Sequence, residues 1–500
     1  MLNLAPMEIW FLTGSQHLYG DELLGQVDQN AKHIVKYLNQ DTELPAKIVH
    51  KPVLTGSDAI QSIILEANQS NQCIGLITWM HTFSPAKMWI RGLSKLNKPL
   101  VHLHTQYNVS IPWDTIDMDY MNLHQSAHGG REFGHICTRM RIKRKVIVGH
   151  WKDKSVQQSL ESWIRAAVGW HDSNNMKIAR FGDNMRDVAV TEGDKVEAER
   201  IFGYSVNGYG LGDLIAHIDT INKTEIKQLC EVYADEYSID ESLSSDGVSH
   251  NSLLEIAKIE LGLRSFLTAG NFTAFTDTFE NLHGLKQLPG LAVQRLMNDG
   301  YGFGAEGDWK HAALVRTMKV MAYGLDGGTS FMEDYTYHLD QHNEAVLGSH
   351  MLEICPSISN EKPRCEIYPL GIGGKADPVR LIFNAMTGPA VNASVIDLGN
   401  RFRLLLNQID SIEPDFNLPK LPVARVLWLP QPDLKTSATA WIYAGGAHHT
   451  CLSFALNQQH IRDFAQIADV ELAVIDQHTN INQFNNELRF NDLAYGIQMK

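Results

Sequence analysis

The chain has 500 residues, which at ~150 residues per domain allows about three domains with large cores. Apolar residues make up 44% and charged residues 20%, a globular composition that excludes disorder and a membrane-embedded chain. With 43 basic against 57 acidic residues the formal charge is −14, which argues against a dedicated nucleic-acid binder, since phosphate partners need a basic face.

The six cysteines, Cys73, Cys137, Cys230, Cys355, Cys365 and Cys451, are scattered and contain no C-x-x-C pair. They read as reduced thiols, not a disulfide framework. The N-terminus, MLNLAPMEIWFLTGSQ, has neither a basic leader nor a small-residue cleavage site. No apolar run reaches the ~18 residues that span a bilayer. The expectation is a soluble, cytoplasmic protein.

In chain order, MEIWFLT (7–13) is an apolar, strand-favouring run ending at Gly14. A helical pattern follows from Glu22 to Leu38, with Leu23, Val27, Ala31, Ile34 and Leu38 on one face. Next come KIVHKPVL (47–54), a helix from Ser57, CIGLITWM (73–80), a helix starting near Pro85, and PLVHLH (99–104). VIVGHW (146–151) and KIARFG (177–182) continue the series. Such βα alternation predicts parallel sheets covered by helices, with ligands outside the strand carboxyl ends. That directs attention to 14–20, 80–85, 104–108 and 182–187.

Residues 190–325 read as mostly helical. TEGDKVEAERIFG (191–203) suggests a capping box from Thr191 to Asp194 and a glycine stop, and 251–268 is amphipathic. From 346 to 430, VLGSHMLEI, VRLIFNAM, NASVIDL, RFRLLLNQI and VARVLWL are short strand-like runs broken by Gly, Pro and Asn. They predict a β-sandwich or barrel. Helical patterns return at the C-terminus.

Several motif matches fail. GFGAEG (302–307) fits G-x-G-x-x-G, but a helical stretch precedes it and Glu306 would repel a pyrophosphate. GIGGK (371–375) lacks the earlier Gly and the following Ser/Thr of a phosphate loop. HLDQH (338–342) could present two histidines from a helix, but its polar setting favours a solvated pair. RMRIKRK (139–145) holds five basic residues and reads as a solvated face or a subunit contact.

A better candidate is dispersed. Glu306 in GAEGDWK, Glu333 in GGTSFMEDYTYH, His350 in LGSHMLE and His449 in AGGAHHT each lie beside small residues, where backbone can approach a ligand closely. Two carboxylates and two imidazoles without a thiolate favour Mn2+-type coordination over structural zinc. Spacing alone does not separate this set from ordinary core and surface residues, because 22 histidines supply many such pairings.

Longer segments are more specific. WFLTGSQHLYG (10–20), WMHTFSPAKMWI (79–90), NLHQSAHGGREFGH (122–135), GDNMRDVAVTEGDK (182–195), GFGAEGDWKHAAL (302–314), GGTSFMEDYTYH (327–338), LGSHMLEICPS (347–357), GIGGKADPVRLIF (371–383) and AGGAHHT (444–450) resemble the L-arabinose isomerase family, in order and along the whole chain. The departures, as in SISNEKPRCEIY (357–368), fall between these motifs.

The resemblance implies an intramolecular oxidoreductase, an aldose–ketose isomerase that converts L-arabinose to L-ribulose and also D-galactose to D-tagatose. It implies an α/β fold: two Rossmann-like parallel-sheet domains, 1–176 and 177–325, then a C-terminal β-barrel-containing domain, 326–500. By motif match it implies one Mn2+ per subunit on Glu306, Glu333, His350 and His449, with both glutamates catalytic. His448 is the alternative to His449, held as a neighbour of the metal set on the substrate side. Sugar contacts are implied for Gln16, Leu18, Tyr19, Phe83, Gln125, His128, Met185, Phe331 and Ile372, several of them from a neighbouring chain. The implied assembly is a hexamer of two stacked trimers with sites at subunit boundaries, and no nucleic-acid or membrane partner.

The chemistry suits these residue types. Isomerisation moves a proton between C1 and C2 through an enediolate, and a divalent cation offsets the developing charge. A hydride shift between the same carbons is the rival route. A fucose-type isomerase of the same fold and a non-catalytic sugar-binding protein are the alternative readings; the absent leader and the Glu/Glu/His/His set count against the second.

Overall fold

The computed structural model describes residues 4, 6–41, 44–414 and 418–498. The chain divides into two compact units, one of 3–171 with 462–469 and one of 172–461 with 470–500.

The N-terminal unit is built on five parallel strands in the order Lys47–His50, Glu8–Gly14, Cys73–Met80, Leu100–His104, Lys145–Val148. Every residue of Cys73–Met80 is buried, as a central parallel strand covered on both faces requires. One face packs on the helix Gly20–Asp41, whose Val27, Ala31, Ile34 and Leu38 are buried as the apolar stripe predicts. Another core joins Trp10, Leu12 and Leu76 to Ile60, Trp89 and Phe133. The strand order reverses between Glu8–Gly14 and Cys73–Met80. Their carboxyl ends therefore form the crevice where such sheets take ligands.

The C-terminal unit holds a second parallel sheet in the order Gly302–Gly304, Ala274–Asp277, Lys177–Phe181, Ser205–Tyr209. Residues 190–325 are mostly helical, as expected, but three strands of this sheet within them were not anticipated. The missed strands are only three to five residues long and lie between strong helical patterns. The helix predicted to be capped by Thr191 instead starts at Lys195. There the Asp194 carboxylate accepts from two backbone N–H groups while Thr191 is buried in the preceding turn. Gly203, in the left-handed region that favours glycine, stops that helix as predicted.

Beyond residue 328 six strands close into an antiparallel barrel: Gly388–Asp397, His449–Ser453, Thr329–His338, Ala345–Ser349, Arg425–Pro430 and Phe402–Ile412, which pairs back with Gly388–Asp397. Four of the five predicted β-runs fall in barrel strands; VRLIFNAM supplies Val379–Ile382 of a separate three-stranded sheet. Glu471–Ile475 adds in parallel to Phe402–Ile412. Leu405, Ala473 and Ile475 then pack on the helix Leu434–Tyr443 and on Phe484. His338 ends a strand and His342 sits in a turn, so HLDQH forms no helical histidine pair.

Candidate active site

Three neighbouring barrel strands build most of the site. Their register pairs Glu333 with His449 on one side and with Ser349 on the other, and His350 follows Ser349. The alternation of side chains along Thr329–His338 puts Phe331 on the same face as Glu333. Phe331 is fully buried, with its ring centroid 5.1 Å from His449 and 5.3 Å from His350. It forms a packed wall beneath both imidazoles.

Glu306 comes from the other sheet. It lies just past the carboxyl end of Gly302–Gly304, before the helix Trp309–Met321, with φ at +62°. A side chain in that left-handed region costs about 1 kcal/mol, and its carbonyl accepts from the Met185 N–H at 2.9 Å.

These elements converge. Glu306 Oε2 is 3.6 Å from His449 Nε2 and 3.9 Å from His448 Nε2. Glu333 lies 3.8 Å from both His350 Nε2 and His448 Nε2. Each of the two buried histidines is anchored from behind. His449 Nδ1 is 3.0 Å from Asp308 Oδ2, and His350 Nδ1 is 2.5 Å from Glu353 Oε2. Both rings thus present Nε2 to the glutamate pair. His449 Nε2 is buried and has no hydrogen-bond partner among the described residues. His448, by contrast, is the partly exposed member.

The electrostatics follow from this crowding. Burial alone would lower the His449 pKa, but Asp308 and Glu306 push it up to about 9. His350 is raised against its burial by Glu353 and Glu333. Burial would raise Glu306, yet the adjoining His448 and His449 hold its carboxyl well below the usual range. The carboxylates therefore demand positive charge at the imidazole tips.

That donor set fits a divalent cation. The orphaned His449 Nε2 is a ligand atom without a partner, and carboxylate-anchored imidazoles are the usual support around a bound metal. Glu306, Glu333, His350 and His449 could hold the ion, and His448 is placed to reach the same point.

Sequence reasoning missed the supporting residues. Asp308 accepts from His311 Nδ1 at 2.7 Å as well as from His449, and Lys310 lies 3.3 Å from its other oxygen. Ser394 Oγ closes the cluster, 2.9 Å from His311 Nε2 and 3.1 Å from the His449 carbonyl. Buried Asp277, pushed up to about 7 by burial and then by Glu353, lies at the end of the neighbouring parallel strand. The readable signal was a carboxylate two residues after Glu306 and another three residues after His350.

The predicted sugar contacts divide between the units. Met185 binds the Glu306 carbonyl, and Phe331 and His448 belong to the cluster. Ile372 is on a separate loop between Arg364–Ile367 and Val379–Ile382. Gln16, Leu18, Tyr19, Phe83, Gln125 and His128 are all in the N-terminal unit, at the predicted crevice. There Gln125 Nε2 donates to the Tyr19 hydroxyl at 3.3 Å and Phe83 lies 4.5 Å from the His128 ring. Leu18 is 84% exposed.

Three family models match in succession: the L-arabinose isomerase N-terminal domain over residues 3–175, the central domain over 177–324 and the C-terminal domain over 328–471. The chain belongs to the L-arabinose isomerase family. Among its relatives, the L-arabinose isomerase of Herpetosiphon aurantiacus is 60% identical over 497 residues, covering 99% of both chains. That of Geobacillus stearothermophilus is 59% identical over 495 residues, again 99% of both, and that of Klebsiella pneumoniae 57% over 490 residues, 98% of both. Membership of this family also agrees with the two parallel sheets followed by a barrel. Among the described residues no helix is long and apolar enough to cross a membrane.

Proposed function

We propose that this chain is an aldose–ketose isomerase that interconverts L-arabinose and L-ribulose, and D-galactose and D-tagatose, with one Mn2+ held by Glu306, Glu333, His350 and His449. The observation that carries it is the pair of imidazoles, each fixed through Nδ1 by a carboxylate and turned through Nε2 toward two glutamates. When bound, the ion offsets the negative charge that develops on O1 and O2 of the open-chain sugar.

The chain's own residues do the rest. One glutamate removes the proton from the carbon next to the carbonyl and returns it to the other carbon. His448, the exposed member of the cluster, stands on the substrate side and serves the hydroxyl proton. Phe331 keeps the imidazoles from turning, and Asp308 and Glu353 hold their tautomers.

The test is turnover of L-arabinose in Mn2+ buffer made in D2O. Deuterium at C1 of ribulose supports proton transfer through the enediolate, and unlabelled product supports the hydride shift. No turnover of either aldose would overturn the reading.

The same proposal includes a three-domain division at 1–176, 177–325 and 326–500, a cytoplasmic location, and a hexamer whose sites draw on neighbouring chains. Exposed Val109, Trp113, Met118 and Met121 support a covered surface in the N-terminal unit. Co-expressing His128→Ala with Glu306→Ala chains should restore activity that neither parent has; a co-assembled mixture as inactive as its parents would rule out shared sites.

A further inference from the structure

The basic run 139–145 takes no part in the chemistry above. In the N-terminal unit its residues 141–145 line a cavity of about 330 Å³ together with Lys98, Trp163 and Trp170. The cavity is at the amino ends of Leu100–His104 and Lys145–Val148, the end of the sheet opposite the predicted sugar crevice.

Five cations line it: Lys98, Arg141, Lys143, Arg144 and Lys145. Lys145 bonds Asp463 at 2.6 Å and Lys143 is paired with Asp469. Lys98, Arg141 and Arg144 have no carboxylate partner among the described residues. Lys98 Nζ donates to the Ser70 carbonyl at 3.2 Å. Arg144 is held by the Gly134 and Ile142 carbonyls and by the Thr138 hydroxyl, and its buried Nε–H has no partner among the described residues. One cation beyond a helix C-terminus gains ~0.3–1 kcal/mol from the helix dipole, which does not account for five in a chain of net charge −14.

Arg141 is the most telling of them. The helix Ser126–Arg139 ends with the Arg141 N–H on the Thr138 carbonyl and the Ile142 N–H on the Cys137 carbonyl. This is the double bond of a glycine-type helix stop. Yet the residue in the left-handed position, at φ +57°, is an arginine. Folding alone would favour glycine there by about 1 kcal/mol.

We propose that this cavity binds a small phosphate-bearing metabolite. The phosphate takes Arg141, Arg144 and Lys98 as partners, and the organic part lies against the indole of Trp170. The volume suits a compact ligand. Planar guanidinium groups match the oxygens of a phosphate monoester. The acidic chain around the cavity disfavours a long polyanion.

The decisive variant is Arg141→Gly, because it removes a cation and relieves the backbone at once. Ribose 5-phosphate, adenosine monophosphate and inorganic phosphate are titrated into the full-length protein by calorimetry at matched ionic strength. At least one of them should bind saturably. In Arg141→Gly that affinity should fall ~10–100-fold, the loss of one charge-assisted contact. The melting temperature of the variant should equal or exceed the parent's. Tight binding of ribose 5-phosphate alone identifies a sugar phosphate, of adenosine monophosphate alone a nucleotide, and of all three equally a simple phosphate site. Absence of saturable binding, or binding untouched in Arg141→Gly, overturns the proposal. So does a variant that melts lower and binds as before, since Arg141 would then be a structural cap.

Discussion

Buried histidines occur in both units, and they are of opposite kinds. In the C-terminal unit His350 and His449 are backed by Glu353 and Asp308, and their pKa values rise despite burial. In the N-terminal unit His81 stacks on Trp79 and accepts the company of Asn30, while His102 packs against Phe133 and His104. Burial pushes His81 down to about 3 and His102 to about 4. One carboxylate does not reverse the sign, since His311, with Asp308 at Nδ1 and Ser394 at Nε2, stays lowered by burial. His81 and His102 are packing units that stay neutral. His350 and His449, each with a carboxylate at Nδ1 and a glutamate facing Nε2, are poised around a positive charge.

The hardest test of this contrast removes the acceptor side of the charged cluster. If the proposed roles hold, Glu306→Gln and Glu333→Gln should each lower kcat/KM for L-arabinose by ~10³-fold or more, the loss expected for a metal ligand that also transfers a proton. A variant within tenfold of the parent would break the reading. Next come the anchors. Asp308→Asn and Glu353→Gln should weaken Mn2+ binding ~10–100-fold, read by calorimetry, while leaving the fold intact. His448→Ala should fall in the same range, whereas His449→Ala should empty the site.

The N-terminal unit offers the converse. A histidine whose pKa is depressed on folding takes up its proton only on unfolding, so stability is full above the unfolded value near 6.5 and falls as pH drops below it. His81 and His102 together should cost the unit a few kcal/mol, on the order of 2–4, between pH 6.5 and pH 5. Melting curves across that range should show it, steepened further by His50, His104 and His124, which burial also lowers, and His102→Leu should flatten the slope. An unchanged slope in His102→Leu means that other groups govern acid unfolding.

The smallest effect is also the most direct. Asn30 Nδ2 is 2.8 Å from His81 Nε2, so Asn30→Asp puts a carboxylate beside a carboxylate-free imidazole. The His81 pKa, followed by NMR, should rise toward the ordinary range, while stability at pH 7 changes by about 1 kcal/mol or less. No movement would mean that burial outweighs its new neighbour.

How much of this could be read beforehand follows from which signals are local. The strand Cys73–Met80 and the stripe on Gly20–Asp41 are written in consecutive residues, and both were legible. The short strands Gly302–Gly304 and Ala274–Asp277 were not, because three or four residues in a parallel sheet carry no period of their own. The glutamates and His449 were found through their motifs. Asp308 and Glu353 were overlooked, because their role depends on which ring nitrogen they face, and only the folded geometry specifies that. His311 and Ser394 meet across 83 positions and left no trace in spacing.

The register of the barrel has an evolutionary consequence. Glu333 sits opposite His449 and Ser349 because of strand pairing, not because of the connecting peptides. Gains or losses of residues within 339–343, between the paired strands, leave that alignment untouched. One residue gained or lost inside 329–333 would turn the carboxylate to the other face of the sheet. Lineages of this enzyme can therefore diverge in length at their hairpin tips while the strand interiors stay locked in frame. The turn at 339–343 is the natural place to graft a tag or a second domain.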